Sequence, residues 1–279
     1  MDDFLKPISE TLIDEINAVE TGKAVFPSKR LPPSKLGHVC HAYVWHTFRW
    51  SALITKNPKH ARTAEAGKED ERRVIARLRA AGWKITDFVD GAQIRVETYN
   101  GHIVSEVEGV GRHPVHFKNQ DVLLEVKSMK RSRFNPVKSG KPLSVVEPQH
   151  YAQIVYYMDK LKLPYCVYIA YCRDDGELFC HIIPANKVEA RRLDELATSI
   201  IRSKIPLAKI STNATNHICK QCEMIEPCQF RAAPPKSCHS CFHGVASETD
   251  KGRWHCELAC ASIPPAVVLE GCELYQRII

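Results

Sequence analysis

Apolar positions along this chain recur with two different periods. Over residues 65–81 the period is helical: Val74, Ile75 and Leu78 share one face, and Gly82 follows as a stop signal. Glu71 precedes them by three, four and seven positions, which puts a carboxylate on or beside the apolar face. From 90 to 127 the period drops to two. Residues 93–99 alternate, Asn100-Gly101 is a hairpin signal, and strands are predicted over 102–110 and 121–127. A helix is predicted over 148–161, short strands over 165–170 and 178–183 around an Asp174-Asp175-Gly176 turn, and a basic helix over 186–203. Upstream, residues 1 to about 30 read as a helical or loose arm, and an aromatic, helical stretch over 35–50 follows Pro32-Pro33-Ser34. The order helix, β-meander, helix, strand pair, helix predicts an α/β fold with a central mixed sheet. There is no internal repeat and no low-complexity segment. After about residue 215 the apolar periodicity fades and cysteine, histidine and proline become dense.

A chain of 279 residues accommodates one large domain with an appendage, or two domains, and 44% hydrophobic residues supply a core. The 39 Lys and Arg against 32 Asp and Glu give +7, an excess that fits a polyanionic partner. The start is acidic and then broken by Pro7, with no signal-peptide pattern, and no run reaches the ~18 apolar residues of a membrane span. These features predict a soluble intracellular protein. In that setting 12 cysteines point to metal ligands before disulfides.

Three groups of residues carry candidate chemistry. The first is Glu125-Val126-Lys127, at the end of the apolar run Val122-Leu123-Leu124. Strand residues two apart share a face, so Glu125 and Lys127 point one way and Val126 the other. A carboxylate and an ammonium at a buried strand end are costly without a task. Metal-assisted phosphodiester cleavage supplies one: the carboxylate holds a divalent ion, and the lysine orients water or stabilises charge building on phosphate. The second group is Cys219-x2-Cys222-x5-Cys228, one ligand short of a tetrahedral site. Cys40 is the candidate fourth, which would clip the two ends of the chain together across the core. Zinc and a [4Fe–4S] cluster are both compatible with four cysteines. The third group is Cys238-x2-Cys241 with Cys256-x3-Cys260, paired knuckles that read as a structural zinc ribbon, with His243 and His255 as possible substitutes. Cys166, Cys172 and Cys180 lie in apolar strand pattern and read as inert thiols, and Cys272 has no evident partner.

Together these pieces resemble the PD-(D/E)XK nucleases of the RecB-like class, in particular the phage exonuclease branch and the CRISPR-adaptation nucleases that carry an iron–sulfur cluster. The resemblance covers about residues 34–260. Ser34-x-Leu36-Gly37-x2-Cys40 followed by Trp45-x2-Phe48-Arg49-Trp50 looks like the family's N-terminal cluster cysteine and aromatic helix. Gly67-x3-Glu71 looks like its helix bearing an acidic active-site residue. Glu125-x-Lys127 is the namesake pair. Gln153-x3-Tyr157 looks like the Gln-x3-Tyr motif that faces DNA and the active site, and its i, i+4 spacing places both residues on one helix face. Cys219, Cys222 and Cys228 match the C-terminal cluster spacing. The family's Asp-Gly ahead of Glu-x-Lys is missing. Glu108-Gly109 stands where that strand would place it, so Glu108 is read as the replacement; a register placing Val115 there is the competing alignment.

The resemblance implies a restriction-endonuclease-like α/β core over 34–230, an N-terminal arm over 1–33 and a zinc-ribbon-like tail over 231–279. It implies a Mg2+- or Mn2+-dependent deoxyribonuclease, an exonuclease before an endonuclease, working in prokaryotic or phage replication, recombination or DNA processing. Glu71, Glu108, Glu125 and the Val126 carbonyl would gather the metal, Lys127 would position the attacking water, and Gln153 and Tyr157 would orient substrate. Lys130, Arg131 and Arg133, with Lys138 and Lys141, would line the DNA path. Cys40, Cys219, Cys222 and Cys228 would hold a [4Fe–4S] cluster or zinc, and Cys238, Cys241, Cys256 and Cys260 zinc. DNA is the expected partner, with recombination or replication proteins beside it, no membrane is involved, and the expected location is the cytoplasm of a prokaryotic or phage-infected cell. The alternative reading is a catalytically weak or inactive DNA-binding adaptor on the same fold. A third makes the chain a zinc-ribbon interaction module in which Glu-x-Lys is coincidental.

Overall fold

The computed structural model describes residues 5–55 and 57–279; the opening residues of the expected N-terminal arm lie outside it. The arm is a helix, α1 (Leu5–Thr21). A 3-10 turn over Pro33–Gly37 leads into α2 (His41–Phe48), so the predicted helix over 35–50 is two pieces joined at His38 to Cys40. The amphipathic helix α3 (Pro58–Ala80) starts earlier than predicted. Asn57 caps it by accepting hydrogen bonds from the backbone of Lys59 and His60, with Pro58 at the first position. Short strands β1 (Lys84–Thr86), β2 (Phe88–Val89) and β3 (Ala92–Gln93) follow.

β4 (Arg95–Thr98) and β5 (Ile103–Glu106) form the hairpin that Asn100-Gly101 signalled, with Thr98 paired to Ile103. Tyr99, Asn100 and Gly101 all take positive φ in the turn. β6 (Gly109–Arg112) and β7 (Val122–Met129) come next, and then α4 (Arg131–Lys138), α5 (Leu143–Val146) and α6 (Pro148–Leu161). β8 (Tyr165–Cys172), β9 (Leu178–Pro184) and α7 (Lys187–Arg202) complete the core. The C-terminal part contains α8 (Ile225–Gln229), a three-stranded sheet of β10 (Gly244–Ala246), β11 (Trp254–Cys256) and β12 (Ala261–Ser262), and α9 (Pro265–Glu270).

The central sheet runs β1-β6-β7-β8-β9. It is mixed: β7 and β8 are parallel and joined through α4 to α6, and the other pairs are antiparallel. β7 is buried on both faces. Val122, Leu124 and Val126 pack with Val74 and Ile75 of α3, while Leu123 belongs to the main core with Ile154, Val155 and Tyr156 of α6. This two-sided burial explains why the apolar run of β7 lacks clean alternation. Gly37 sits directly on the start of α6, where a Cβ would meet the Pro148 carbonyl oxygen at 2.2 Å.

The tail is not a separate appendage. Cys238, Trp254, Ile263 and Val268 belong to the main core. Arg49, at the C-cap of α2, is fully buried and donates hydrogen bonds to the carbonyls of Gly244 (3.1 Å) and Cys241 (3.0 Å). Its guanidinium also lies over the Trp254 ring. Burial drives its pKa down to about 9, against the neighbouring Cys241 and Glu257, which raise it. The buried His239 ring stacks on Trp50 with centroids 3.5 Å apart and an interplanar angle of 1°, and lies 3.9 Å from Trp254. The expected boundary near residue 230 therefore runs through shared packing. Among the described residues no helix is long and apolar enough to cross a membrane.

Candidate active site and cysteine cages

Three carboxylates and one ammonium meet at the end of β7. Gly109 of β6 pairs with Leu124 of β7, which sets Glu108, one residue earlier, beside Glu125. Glu108 accepts hydrogen bonds from the Val126 backbone N–H and from Lys127 Nζ (2.8 Å). Lys127 Nζ also lies 2.6 Å from Glu125 Oε1. Neither oxygen of Glu125 receives an aligned hydrogen bond, although the side chain is 0% exposed. Glu71 reaches the same place from α3 and feels both Glu108 and Lys127. The structure thus brings together the four residues that the sequence pointed to, and it sets Glu108 against Lys127. Val115 is 77% exposed, beyond the opposite end of β6.

The electrostatics follow from burial. Burial pushes the Glu125 carboxyl up to about 8, with Glu108 adding repulsion and Lys127 only partly offsetting it. Burial, then Glu108, raises Glu71 to about 7. Burial alone would depress Lys127, but the carboxylates of Glu108, Glu125 and Glu71 outweigh it and hold its pKa well above the ordinary lysine value. The lysine is therefore charged, and near neutral pH the cluster retains protons on Glu125 and Glu71 that a bound cation would displace. Among the described residues no three His, Cys, Asp or Glu side chains are arranged to hold a single metal ion. The donor chemistry nevertheless fits a hard divalent cation: oxygen donors and a buried carboxylate with unsatisfied lone pairs.

The α6 residues play different parts. Tyr157 is fully buried, and its hydroxyl donates to the Glu106 carbonyl (3.0 Å), contacts Ser105 Oγ, and accepts from Gln153 Nε2 (3.1 Å). It ties α6 to the strand leading into Glu108 and is no DNA-facing group. Gln153 is half-buried above it.

Sequence reading missed His150, one turn earlier on α6. Its Nδ1 lies 2.9 Å from the Tyr168 hydroxyl, and burial, then Lys127 and Arg133, drive its pKa down to about 3, so it is neutral. Its place three residues before Gln153 and seven before Tyr157 was the available signal. Asp70 was also missed; it accepts a 2.7 Å hydrogen bond from Ser128 Oγ, just beyond Lys127.

The basic run after β7 is not the free loop that its sequence suggests. Arg131 is held by Asp175 and Glu177 and Lys138 by Glu177, while Arg133 grips the buried Glu147 with both guanidinium arms, one at 2.8 Å. Lys130 is exposed. Lys141 is exposed beyond α4. Arg133→Ala should act on stability. It strands the Glu147 carboxylate, at a cost of about 1–3 kcal/mol. The melting temperature should fall by several degrees, with no change in the salt dependence of DNA binding. An unchanged melting temperature with a flatter salt slope would return Arg133 to the DNA path.

Two cavities are lined by cysteines. The first, about 410 Å3, is bounded by Cys40 at the N-cap of α2, Cys219 and Cys222 around the turn Cys219–Gln221, and Cys228 of α8. Burial raises the Cys222 and Cys228 thiols; Cys222 also feels Cys40, Cys228 and Cys219, and Cys228 feels Cys40 and Cys219, with Lys209 opposing the rise. This is the set named from sequence. The second, about 270 Å3, is lined by Cys238, Cys241, Cys256 and Cys272. Cys260, the expected fourth ligand, is exposed outside it, with its Sγ 3.4 Å from the Glu257 carbonyl and a backbone φ of 50°. Cys166 and Cys172 are buried in the core, as expected of inert thiols.

No family model matches the chain, and no curated protein matches it. Among solved structures it is similar to LHK-Exo in complex with dAMP at 15% identity and a TM-score of 0.45, covering 67% of this chain and 90% of that one. The alkaline exonuclease LHK-Exo from Laribacter hongkongensis gives 16% and 0.44 over the same shares. SSO0001 gives 14% and 0.40, covering 78% of this chain and 94% of that one. A likeness of this size does not assign the chain to a family.

Proposed function

We propose that this chain is a divalent-metal-dependent DNA nuclease of PD-(D/E)XK type, with Glu71, Glu108, Glu125 and the Val126 carbonyl as metal ligands. The observation that supports it most is Glu125. A fully buried carboxylate that is still pushed up to about 8 with the Lys127 ammonium 2.6 Å from one of its oxygens is costly for a fold to keep. A Mg2+ or Mn2+ ion bound there would relieve that cost and supply Lewis-acid activation of phosphate and water. Lys127 remains protonated beside it, presenting N–H donors that orient the attacking water and a fixed positive charge for the phosphate oxygens. Tyr157, His150 and Asp70 tie the surrounding elements together. Within the same proposal, Cys40, Cys219, Cys222 and Cys228 hold a [4Fe–4S] cluster: all four thiols line one cavity of about 410 Å3. Action from DNA ends, and replication or recombination proteins as partners, belong to the proposal on the strength of the motif resemblance.

One observation favours the adaptor reading instead. Both oxygens of Glu108, a side chain one methylene longer than aspartate, are already engaged by Val126 and Lys127. Incubation of end-labelled single- and double-stranded DNA with the anaerobically purified chain, with Mg2+, Mn2+ or EDTA, separates the two. Metal-dependent shortening supports the nuclease. Salt-sensitive binding without cleavage under every condition selects the adaptor.

A further inference from the structure

The second cysteine cavity is built by residues scattered over the last forty or so of the chain. Cys238 and Cys241 stand at either end of one tight knuckle, Cys256 ends β11, and Cys272 follows α9. Two glycines make the closure possible. At Gly244 a Cβ would meet the Cys238 carbonyl oxygen at 2.0 Å, so only glycine lets the knuckle fold back. Gly271 takes a φ of +68° and turns the chain after α9 immediately before Cys272. The backbone closes around the same point: the Cys238 N–H donates to the Val268 carbonyl (2.9 Å), and Cys241 bridges to Arg277. The remaining wall is mostly apolar, with Leu258, Ile263, Pro264 and Val267, and it also carries His243, Ser262 and Tyr275.

We infer that this cavity is a second iron–sulfur site, a [4Fe–4S] cluster held by Cys238, Cys241, Cys256 and Cys272. Four cysteine thiols are the donor set of such a cluster. A single zinc draws its four sulfurs to about 2.3 Å from one centre. Here the four thiols line one cavity of about 270 Å3, room for a cluster rather than for one ion. Cys260 plays no part. The inference is independent of the nuclease reading, because it rests on the donors and shape of a cavity away from the carboxylates.

The test counts iron, acid-labile sulfide and zinc per chain in protein made and purified without oxygen. Wild type should hold about eight iron and eight sulfide, the content of two four-iron clusters. Cys222→Ser, which breaks only the first cage, should keep about four of each and stay brown. Adding Cys272→Ser to it should remove them, and adding Cys260→Ser should not. One zinc and no iron in Cys222→Ser, with iron near four and one zinc in wild type, would overturn the assignment. So would loss of metal on Cys260→Ser with retention on Cys272→Ser, or no metal in any form. If the Cys272→Ser chain does not fold, the wild-type and Cys222→Ser counts still decide between cluster and zinc. None of these readouts needs DNA cleavage, so the site can fail while the nuclease stands, and the reverse.

Discussion

Lys127→Ala should leave a chain that folds in the presence of Mg2+ and binds DNA but no longer cuts it. The ammonium lies 2.8 Å from Glu108 and 2.6 Å from Glu125, within reach of any phosphate that approaches those carboxylates. Its loss removes a donor aimed at charge that develops only during reaction, which costs about 10²–10³ in rate. DNA affinity should change little, since bulk positive charge is supplied elsewhere. The same lysine also offsets three carboxylates, so the metal-free variant should melt below wild type and recover with Mg2+. The decisive measurement is single-turnover cleavage of end-labelled DNA alongside a melting curve. Cleavage at the wild-type rate in a folded Lys127→Ala chain would remove this cluster from the chemistry.

Glu125→Gln should make the metal-free protein more stable while abolishing cleavage. The carboxyl titrates near 4.5 in an unfolded chain and near 8 in the fold. Between those values the folded state holds the extra proton, so stability falls as pH rises from about 4.5, and the loss is complete above about 8. Glutamine carries no such charge. The gain over wild type should be near zero at pH 5 and on the order of 3–5 kcal/mol at pH 9, or roughly 6–15 °C in melting temperature. Mg2+ or Mn2+ should raise the wild-type melting temperature at pH 8 and leave Glu125→Gln nearly unmoved. A Glu125→Gln chain that melts below wild type at pH 8, or that responds fully to the metal, would show that Glu125 is a satisfied structural residue.

Much of the core was legible because local signals agreed with the tertiary outcome. Pro148 and the apolar period after it predicted α6 over the residues it occupies, and Asn100-Gly101 marked the β4–β5 turn. Glu125, Lys127 and Glu71 stood out because charge on an apolar face demands an explanation, and the fold brings those side chains together. What escaped was decided by pairing across distance. α4 was read as a basic loop because Pro136 lies inside it and because its carboxylate partners, Asp175, Glu177 and Glu147, come from other segments. The ligand-like spacing Cys256-x3-Cys260 hid Cys272, which only the turn at Gly271 brings inward. Tyr157 sits on the expected helix face, yet the hairpin covers it and turns an expected DNA contact into a tie between α6 and β5.

The way α2 is held sets the order in which the chain can be completed during synthesis. Cys40 at one end of that helix faces residues 219–228, and Arg49 at the other is satisfied only by the carbonyls of Cys241 and Gly244. Trp50 stacks on Phe26, which precedes it, and on His239, which follows far downstream. A growing chain emerges from its N-terminus, so α2 reaches solution with a guanidinium and a thiol whose partners have not yet been made, and with an indole covered on one face only. The first helix of the core is therefore among the last to be finished, and until then its aromatic side needs protection from other chains.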